Sequence, residues 1–252
     1  MLKQLFYLII ASLSLISCNQ DQQLTADSII DQAVFKSGTF HFANAKVKFD
    51  FRDITYTSLG ECGEFKLKRE FTKDSSIIED VFDQKKFQRK VNQQKVSVSD
   101  SLANLYAESI NSVLYFVQLS YRLKDPAVQK KLIGKENING EEYHKIKVSF
   151  QEEGGGQDFE DIYMYWIHTE TFDVDYLAYS FLVNGGGIRF REAYNPRKIN
   201  DIKFVDYRNY DVKNKNIKLE DLAKLFQNKE LKLISSIENS NIEVEKIDNQ
   251  CL

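Results

Sequence analysis

The sequence predicts an α+β fold in which an antiparallel sheet packs around one buried helix. Three observations predict it. Most of the 252 residues fall into short segments where apolar and polar residues alternate, the period of a half-buried strand. One central segment, "SLANLYAESINSVLYFVQLSYRL", is apolar on almost every side of a helix, which marks a helix enclosed by protein. Beyond it, strand-like segments follow one another with only turn residues and two glycine triplets between them, the pattern of a meander. Two prolines and 13% aromatic residues fit an ordered, strand-rich chain.

The chain opens with "MLKQLFYLIIASLSLISC", where Lys3 precedes an apolar run from Leu5 to Ile16. A run of about twelve residues is too short to cross the roughly 30 Å of a bilayer interior as a helix, and it suits a secretory signal. Leu15-Ile16-Ser17-Cys18 resembles a bacterial lipobox. That resemblance implies removal of residues 1–17, a diacylglycerol on the Cys18 thiol and acylation of the new amino group. Two or three acyl chains on one residue meet the condition for stable anchoring. Asn19 stands where an inner-membrane retention signal would carry Asp, so the outer membrane is the expected destination, on either face. An uncleaved anchor and an ordinary signal peptide remain the alternatives. Residues 18–24 read as a polar tether, and residues 25–252 as one domain, since no linker, low-complexity tract or repeat divides them.

Thr25 to Lys36 reads as a helix, with Ile29, Ile30, Ala33 and Val34 on one stripe and Gly38 as its stop. In "KVKFDFRD" Val47, Phe49 and Phe51 alternate with charged residues, and "EFKLKREF" repeats the pattern with Phe65, Leu67 and Phe71. With "LGECG" as the turn, these two segments are expected to pair as a hairpin. Shorter strands follow at Ile77–Phe82, Phe87–Val91 and Lys95–Val98. In the central helix Leu102, Tyr106, Ile110, Val113 and Val117 form one stripe, while Leu105, Leu114, Phe116, Leu119 and Leu123 spread round the rest. Asp125-Pro126 suggests a cap opening a short helix to about Lys131. From Leu132 onward the meander has Asn139-Gly140 as a tight hairpin turn. Its strands are expected at Tyr143–Gln151, Asp158–His168, Val174–Val183, Ile188–Tyr194 and Asp201–Tyr210, with "NPRKIN" as the last connection. A short helix and one more strand pair complete the chain.

A net charge of −3 with interspersed signs gives no footprint for nucleic acid. Cys62 and Cys251 could pair in an oxidising compartment or remain free. His41, His144 and His168 lack metal-ligand spacing, and no nucleophile elbow, C-x-x-C, H-E-x-x-H or Walker sequence occurs, so no catalytic residue, metal or cofactor is expected.

Two features point to a ligand. Of eleven glycines, six lie in two triplets, Gly154, Gly155 and Gly156, then Gly185, Gly186 and Gly187. Alternating strand directions put both triplets on one rim, roughly 10 Å apart, where glycine supplies either tight turns or a yielding lip over a cavity. Neither opens a helix, so neither is a phosphate loop. Arg189, Arg191 and Glu192, after the second triplet, read as solvated rim charge. The second feature is charge on apolar faces. Asp53 continues the phase of Phe49 and Phe51, Arg69 that of Phe65 and Leu67, and Arg89 that of Phe87 and Val91. A turn centred on Glu61 sets Asp53 opposite Arg69. Buried charges need a partner, whether each other or the polar group of a ligand.

The stretches "FDFRDITY", "SINSVLYFVQLSYRLKDPAVQKKLIGKENINGEEYHKIKVSFQEEGGGQDFEDIYMYW", "YLAYSFLVNGGGIRFREAYNPR" and "FVDYRNY" resemble an uncharacterised family of Bacteroidota envelope lipoproteins carrying a domain of unknown function. Asn200-Asp201 departs from the Asn-Gly expected at that turn. More loosely, the order of helix, hairpins, buried helix and meander is similar to the LolA, LolB and LppX lipoprotein-carrier superfamily. That resemblance implies a LolA-like incomplete β-barrel, a curved antiparallel sheet wrapped around a helix with a hydrophobic hollow.

The expected function is therefore non-enzymatic binding of a lipid or other amphiphile by a membrane-anchored envelope protein. Phe49, Phe51, Phe65, Leu67, Val113, Leu114, Phe116 and Val117 would line the hollow, and Asp53, Arg69 and Arg89 would meet the polar group. Two other readings stand beside it. One is an assembly lipoprotein with a solid core, whose exposed Tyr163, Tyr165 and Tyr179 contact another envelope protein. The other is a hydrolase without a recognised motif.

Overall fold

A computed structural model describes residues 24–62, 64–83, 86–154, 159–182 and 185–248. Cys18, Gly155, Gly156 and Cys251 lie outside these. Helix α1 (Ala26–Ser37) forms as its sequence predicts: the Thr25 side chain accepts from the Ser28 backbone N–H, and Ser28 Oγ accepts from the Thr25 N–H. Gly38 ends the helix at φ 70°, a left-handed conformation that glycine adopts at little cost. Ile29, Ile30, Ala33 and Val34 are buried as one stripe.

Among the described residues fourteen strands form two antiparallel sheets of seven, neither closed on itself. The first contains β1 (Ala45–Phe51), β2 (Ile54–Glu61), β3 (Glu64–Lys73), β4 (Ser76–Asp83), β5 (Lys86–Val91) and β6 (Gln94–Val96). The second contains β7 (Val128–Ile138), β8 (Glu141–Phe150), β9 (Ile162–His168), β10 (Val174–Phe181), β11 (Gly187–Ile199), β12 (Ile202–Asp211) and β13 (Lys232–Ile237). The last strand, β14 (Ser240–Lys246), returns to the first sheet beside β1. β13 and β14 are thus not the expected pair; each extends a different sheet, and the chain between them forms the corner of the molecule.

Helix α2 (Asp100–Val117) connects the opposite free edges, running from β6 toward β7. The expectation that it is buried on nearly all sides holds only for its C-terminal half. Leu102 and Leu105 are 45% and 58% exposed, because the helix enters from an edge strand and its buried residues begin only at Ala107. From there Ile110 and Leu114 pack on Phe49, Tyr56 and Leu67 of the first sheet, in a cluster that also takes in Ile202 and Phe204 of β12. On the other side Tyr115 and Leu119 join α1 against Ile146, Tyr165 and Leu177 of the second sheet.

Three further expectations are corrected. β2 intervenes between the two segments expected to pair, because the chain turns at Arg52-Asp53 with Arg52 at φ 55°. No helix follows Asp125-Pro126; the N–H of Val128 reaches the Asp125 carbonyl to make a turn, and β7 begins at once. "NPRKIN" is not a loop either. β11 runs through it as a bulge between Tyr194 and Arg197, a position that tolerates the missing N–H of Pro196. The turn itself is Asn200-Asp201, with both residues at positive φ.

A knot of polar contacts fixes the corner. Asp206, buried, accepts from Asn195 Nδ2, Arg197 Nη2 and the Asn239 N–H, while Arg197 Nη2 also donates to the Asn239 carbonyl. Cys62, in the β2–β3 turn, is disulfide-bonded. The outer face of the first sheet carries ion pairs such as Lys48–Glu243 and Lys90–Glu79. Part of the outer face of the second is covered instead: Trp166, Ala178 and Phe190 lie under Leu222 and Ala223 of α3 (Leu222–Gln227).

Candidate functional site

The inner faces of both sheets are apolar, yet they do not close fully around α2. A cavity of about 390 Å³ lies between Phe65, Leu67 and Phe82 of the first sheet, α2, and Phe150 and Tyr163 of the second. Arg122, Asp125 and Gly154 border it. A second cavity of about 300 Å³ lies beside it, lined by Phe51, Val113 and Val117 and by Tyr179, Arg191 and Tyr207. Ser112, Phe116 and Tyr163 line both, so the two hollows are lobes of one cleft divided by the Phe116 ring.

Aromatic side chains floor this cleft because alternate residues of β9 and β10 point inward. Tyr163 stacks on Tyr179 at 5.2 Å between ring centroids, Phe116 lies 5.5 Å from Tyr179, and Phe150 meets Tyr163 edge-on. The Tyr115 and Tyr165 hydroxyls are 3.1 Å apart. Burial pushes the Tyr115 phenol up to about 12 and raises those of Tyr163, Tyr165 and Tyr207, as a low-dielectric wall should.

Into this wall β11 sends Arg191, which is 8% exposed. Its guanidinium carbon lies 3.7 Å from the Phe116 ring centroid, and Nη2 donates to Tyr179 Oη at 3.0 Å. Its Nε has no hydrogen-bond partner, nor has Oδ1 of Asn209, the residue directly across on β12.

The residues expected at the site separate into three groups. Phe51, Phe65, Leu67, Val113, Phe116 and Val117 do border the cleft. Phe49 and Leu114 are fully buried in the solid cluster between α2 and the first sheet. The charged residues lie elsewhere. Asp53 is exposed in the β1–β2 turn and does not face Arg69, because the unforeseen turn at Arg52-Asp53 shifts the register of everything before it. Arg69 and Arg89 meet Asp80 instead. The three are direct neighbours across β3, β4 and β5, and Asp80 receives Arg69 Nε at 2.8 Å and Arg89 Nε and Nη2 at 2.6 and 2.8 Å. Arg69 Nη1 also donates to Ser109 of α2, and Arg89 lies 3.8 Å from the Tyr106 ring centroid. This triad fastens the exposed half of α2 to the first sheet, with both guanidiniums sharing the one Asp80 carboxylate.

β8 and β10 run the same way on either side of β9 and so bring Gly154 and Gly185 to the same end of the second sheet, but among the described residues the glycines do not share one lip over the cleft. Gly154, after β8, touches the cleft. Gly185, Gly186 and Gly187, after β10, instead border a separate hollow with Lys147 and Met164 on the other face of the second sheet. There Gly185 and Gly186 take φ 84° and 69°, so they serve the turn into β11 rather than a lip over the cleft. Tyr163, Tyr165 and Tyr179, expected on the surface, point inward; the strand alternation is correct but the faces are reversed. Arg191 was legible as an alternating residue of "IRFREAY". Its inward direction was not, since nothing in the sequence signals that Ile188 and Phe190 are covered by α3.

No curated protein sequence matches the chain significantly. Among solved structures it is similar to a DUF1329 family protein from Desulfovibrio piger, at 12% identity and a TM-score of 0.42 over 90% of this chain and 95% of that one. A LolA superfamily protein from Nitrosomonas europaea shows 14% identity and a TM-score of 0.45 over 90% and 96% of the two chains. The Mycobacterium tuberculosis lipoprotein LppX shows 11% identity and a TM-score of 0.27 over 64% and 90%. These likenesses are too distant to bear on a ligand. The model of a family of unknown function, DUF6503, matches residues 3–239, and the chain belongs to that family.

Proposed function

We propose that this protein binds a lipid or other amphiphile in the cleft along α2, without catalysis, as an envelope lipoprotein held at the outer membrane through Cys18. The observation that supports this most directly is the pair of lobes around Phe116, walled by aliphatic and aromatic side chains from α2 and both sheets. Each lobe falls near the lower end of the roughly 300–1,000 Å³ typical of ligand pockets. Together they offer adjoining apolar and polar walls, the mixture that an amphiphile with an acyl chain and a polar head would meet. The anchor follows from the lipobox-like sequence ending at Cys18. No particular observation favours an assembly role, because the tyrosines that suggested it face the interior.

Ser112 lines both lobes from α2, so Ser112→Trp sets an indole in the cleft without touching the core residues Ile110 and Leu114. Purified protein beginning after the tether should bind the fluorescent cis-parinaric acid. The tryptophan variant should bind it about tenfold or more weakly, a loss of roughly 1.4 kcal/mol or more. Equal binding by a folded variant, or no binding by the parent protein, would remove this reading.

A further inference from the structure

Among the described residues Arg191 is a buried cation without a counter-ion. Among the described residues no carboxylate lies within ion-pair distance of it, whereas Arg69, Arg89, Arg122, Arg189, Arg197 and Arg208 each have one. Asp161 lines the same lobe but has an interaction of its own. The Phe116 face and the Tyr179 hydroxyl compensate part of the desolvation, since a cation over an aromatic ring is attracted by its quadrupole. They leave Nε without an acceptor. A guanidinium in a dry aromatic wall, with an unused N–H, is the arrangement that binds an oxyanion through charge-assisted hydrogen bonds.

Resting on the amphiphile reading above, we infer that Arg191 seats the anionic head of the ligand, a carboxylate or phosphate monoester, with its chain running past Phe116 into the neighbouring lobe. Three features of the site fit this assignment. The head would gain the acceptor role that no protein group fills. Tyr179 Oη, which lines the same lobe and accepts from Arg191 Nη2, has its own proton left to donate to the head. Phe116, under the guanidinium and between the lobes, links occupation of the head site to the path of the chain.

The test uses membranes carrying the full chain and three photoactivatable, alkyne-tagged probes: palmitic acid, hexadecyl phosphate and the neutral hexadecanol. Labelling of the α2 segment is followed against probe concentration for the parent protein, Arg191→Met and Arg191→Lys. At least one anionic probe should label the parent at lower concentration than the alcohol, and the tighter of the two identifies the head. Arg191→Met should raise the half-saturating concentration of that probe about tenfold or more, as expected for losing charge-assisted hydrogen bonds, and that of the alcohol less than about threefold. Arg191→Lys, which keeps the charge but not the fork, should fall between. Unchanged labelling by the alcohol shows that the methionine variant is folded. Equal labelling of the parent by acid, phosphate and alcohol, or equal shifts for all three in Arg191→Met, would overturn the anion seat while leaving an apolar cleft. Failure of every probe would overturn the cleft reading as well.

Discussion

Asp80→Ala is expected to cost about 3–5 kcal/mol of folding stability, because it leaves one buried and one part-buried guanidinium without the carboxylate they share. Asp80 is fully buried and receives three hydrogen bonds, one from Arg69 and two from Arg89. Neither arginine can give up its charge in the folded protein, so each must find water or remain uncompensated. Urea titration of parent and variant measures the loss. The triad also holds Tyr106 and Ser109, so amide exchange in the first turns of α2 should quicken more than exchange in β9 or β10. Replacing Arg69, Asp80 and Arg89 together by aliphatic residues of similar volume should restore most of the stability, since buried ion clusters are commonly matched by apolar packing. A small loss for Asp80→Ala alone would mean that the triad is hydrated and does not secure the helix.

Gly38→Ala should cost about 2–5 kcal/mol, from two additive causes. The residue sits at φ 70°, where a Cβ is strained, and that Cβ would overlap the Asp201 carbonyl oxygen of the β11–β12 turn. Gly154 isolates the first cause. It has φ 82°, but the nearest atom to its added Cβ is the Ala127 methyl at 3.5 Å, an ordinary contact. Gly154→Ala should therefore cost only about 1 kcal/mol, the conformational penalty alone. Thermal unfolding of both variants separates the terms; equal losses would contradict the close approach of Gly38 to the Asn200-Asp201 turn.

What could be read from sequence follows from which interactions are local. The ends of α1 are legible because Thr25, Ser28 and Gly38 act within one turn of the helix. The α+β class and most strands are legible because alternation is a property of neighbouring residues, and that same alternation turns Arg69 and Arg89 inward. Their partner is not legible. Phase tells which face a residue takes but not which strand lies beside it, so one turn without glycine, at Arg52-Asp53, exchanges Asp53 for Asp80. The cleft shows a similar division. Phe65, Leu67 and Phe116 are recognisable as interior residues, but whether they touch another side chain or a void depends on how far two separate sheets stand from α2. Arg191 and Tyr179 escape because their strands, β11 and β10, look one-sided until α3 covers the other face of the sheet. Asn200-Asp201 forms the positive-φ turn where Asn-Gly would be easier, with Lys246 Nζ 2.7 Å from Asp201 in the folded chain.

The amphiphile cleft is tested most directly by native mass spectrometry of the protein purified from its own envelope without added lipid. Satellite peaks at the mass of one bound amphiphile are expected in the parent protein, absent from Ser112→Trp and diminished in Arg191→Met. A single unliganded mass for the parent protein, under conditions that preserve a known lipid complex run alongside it, would contradict the account.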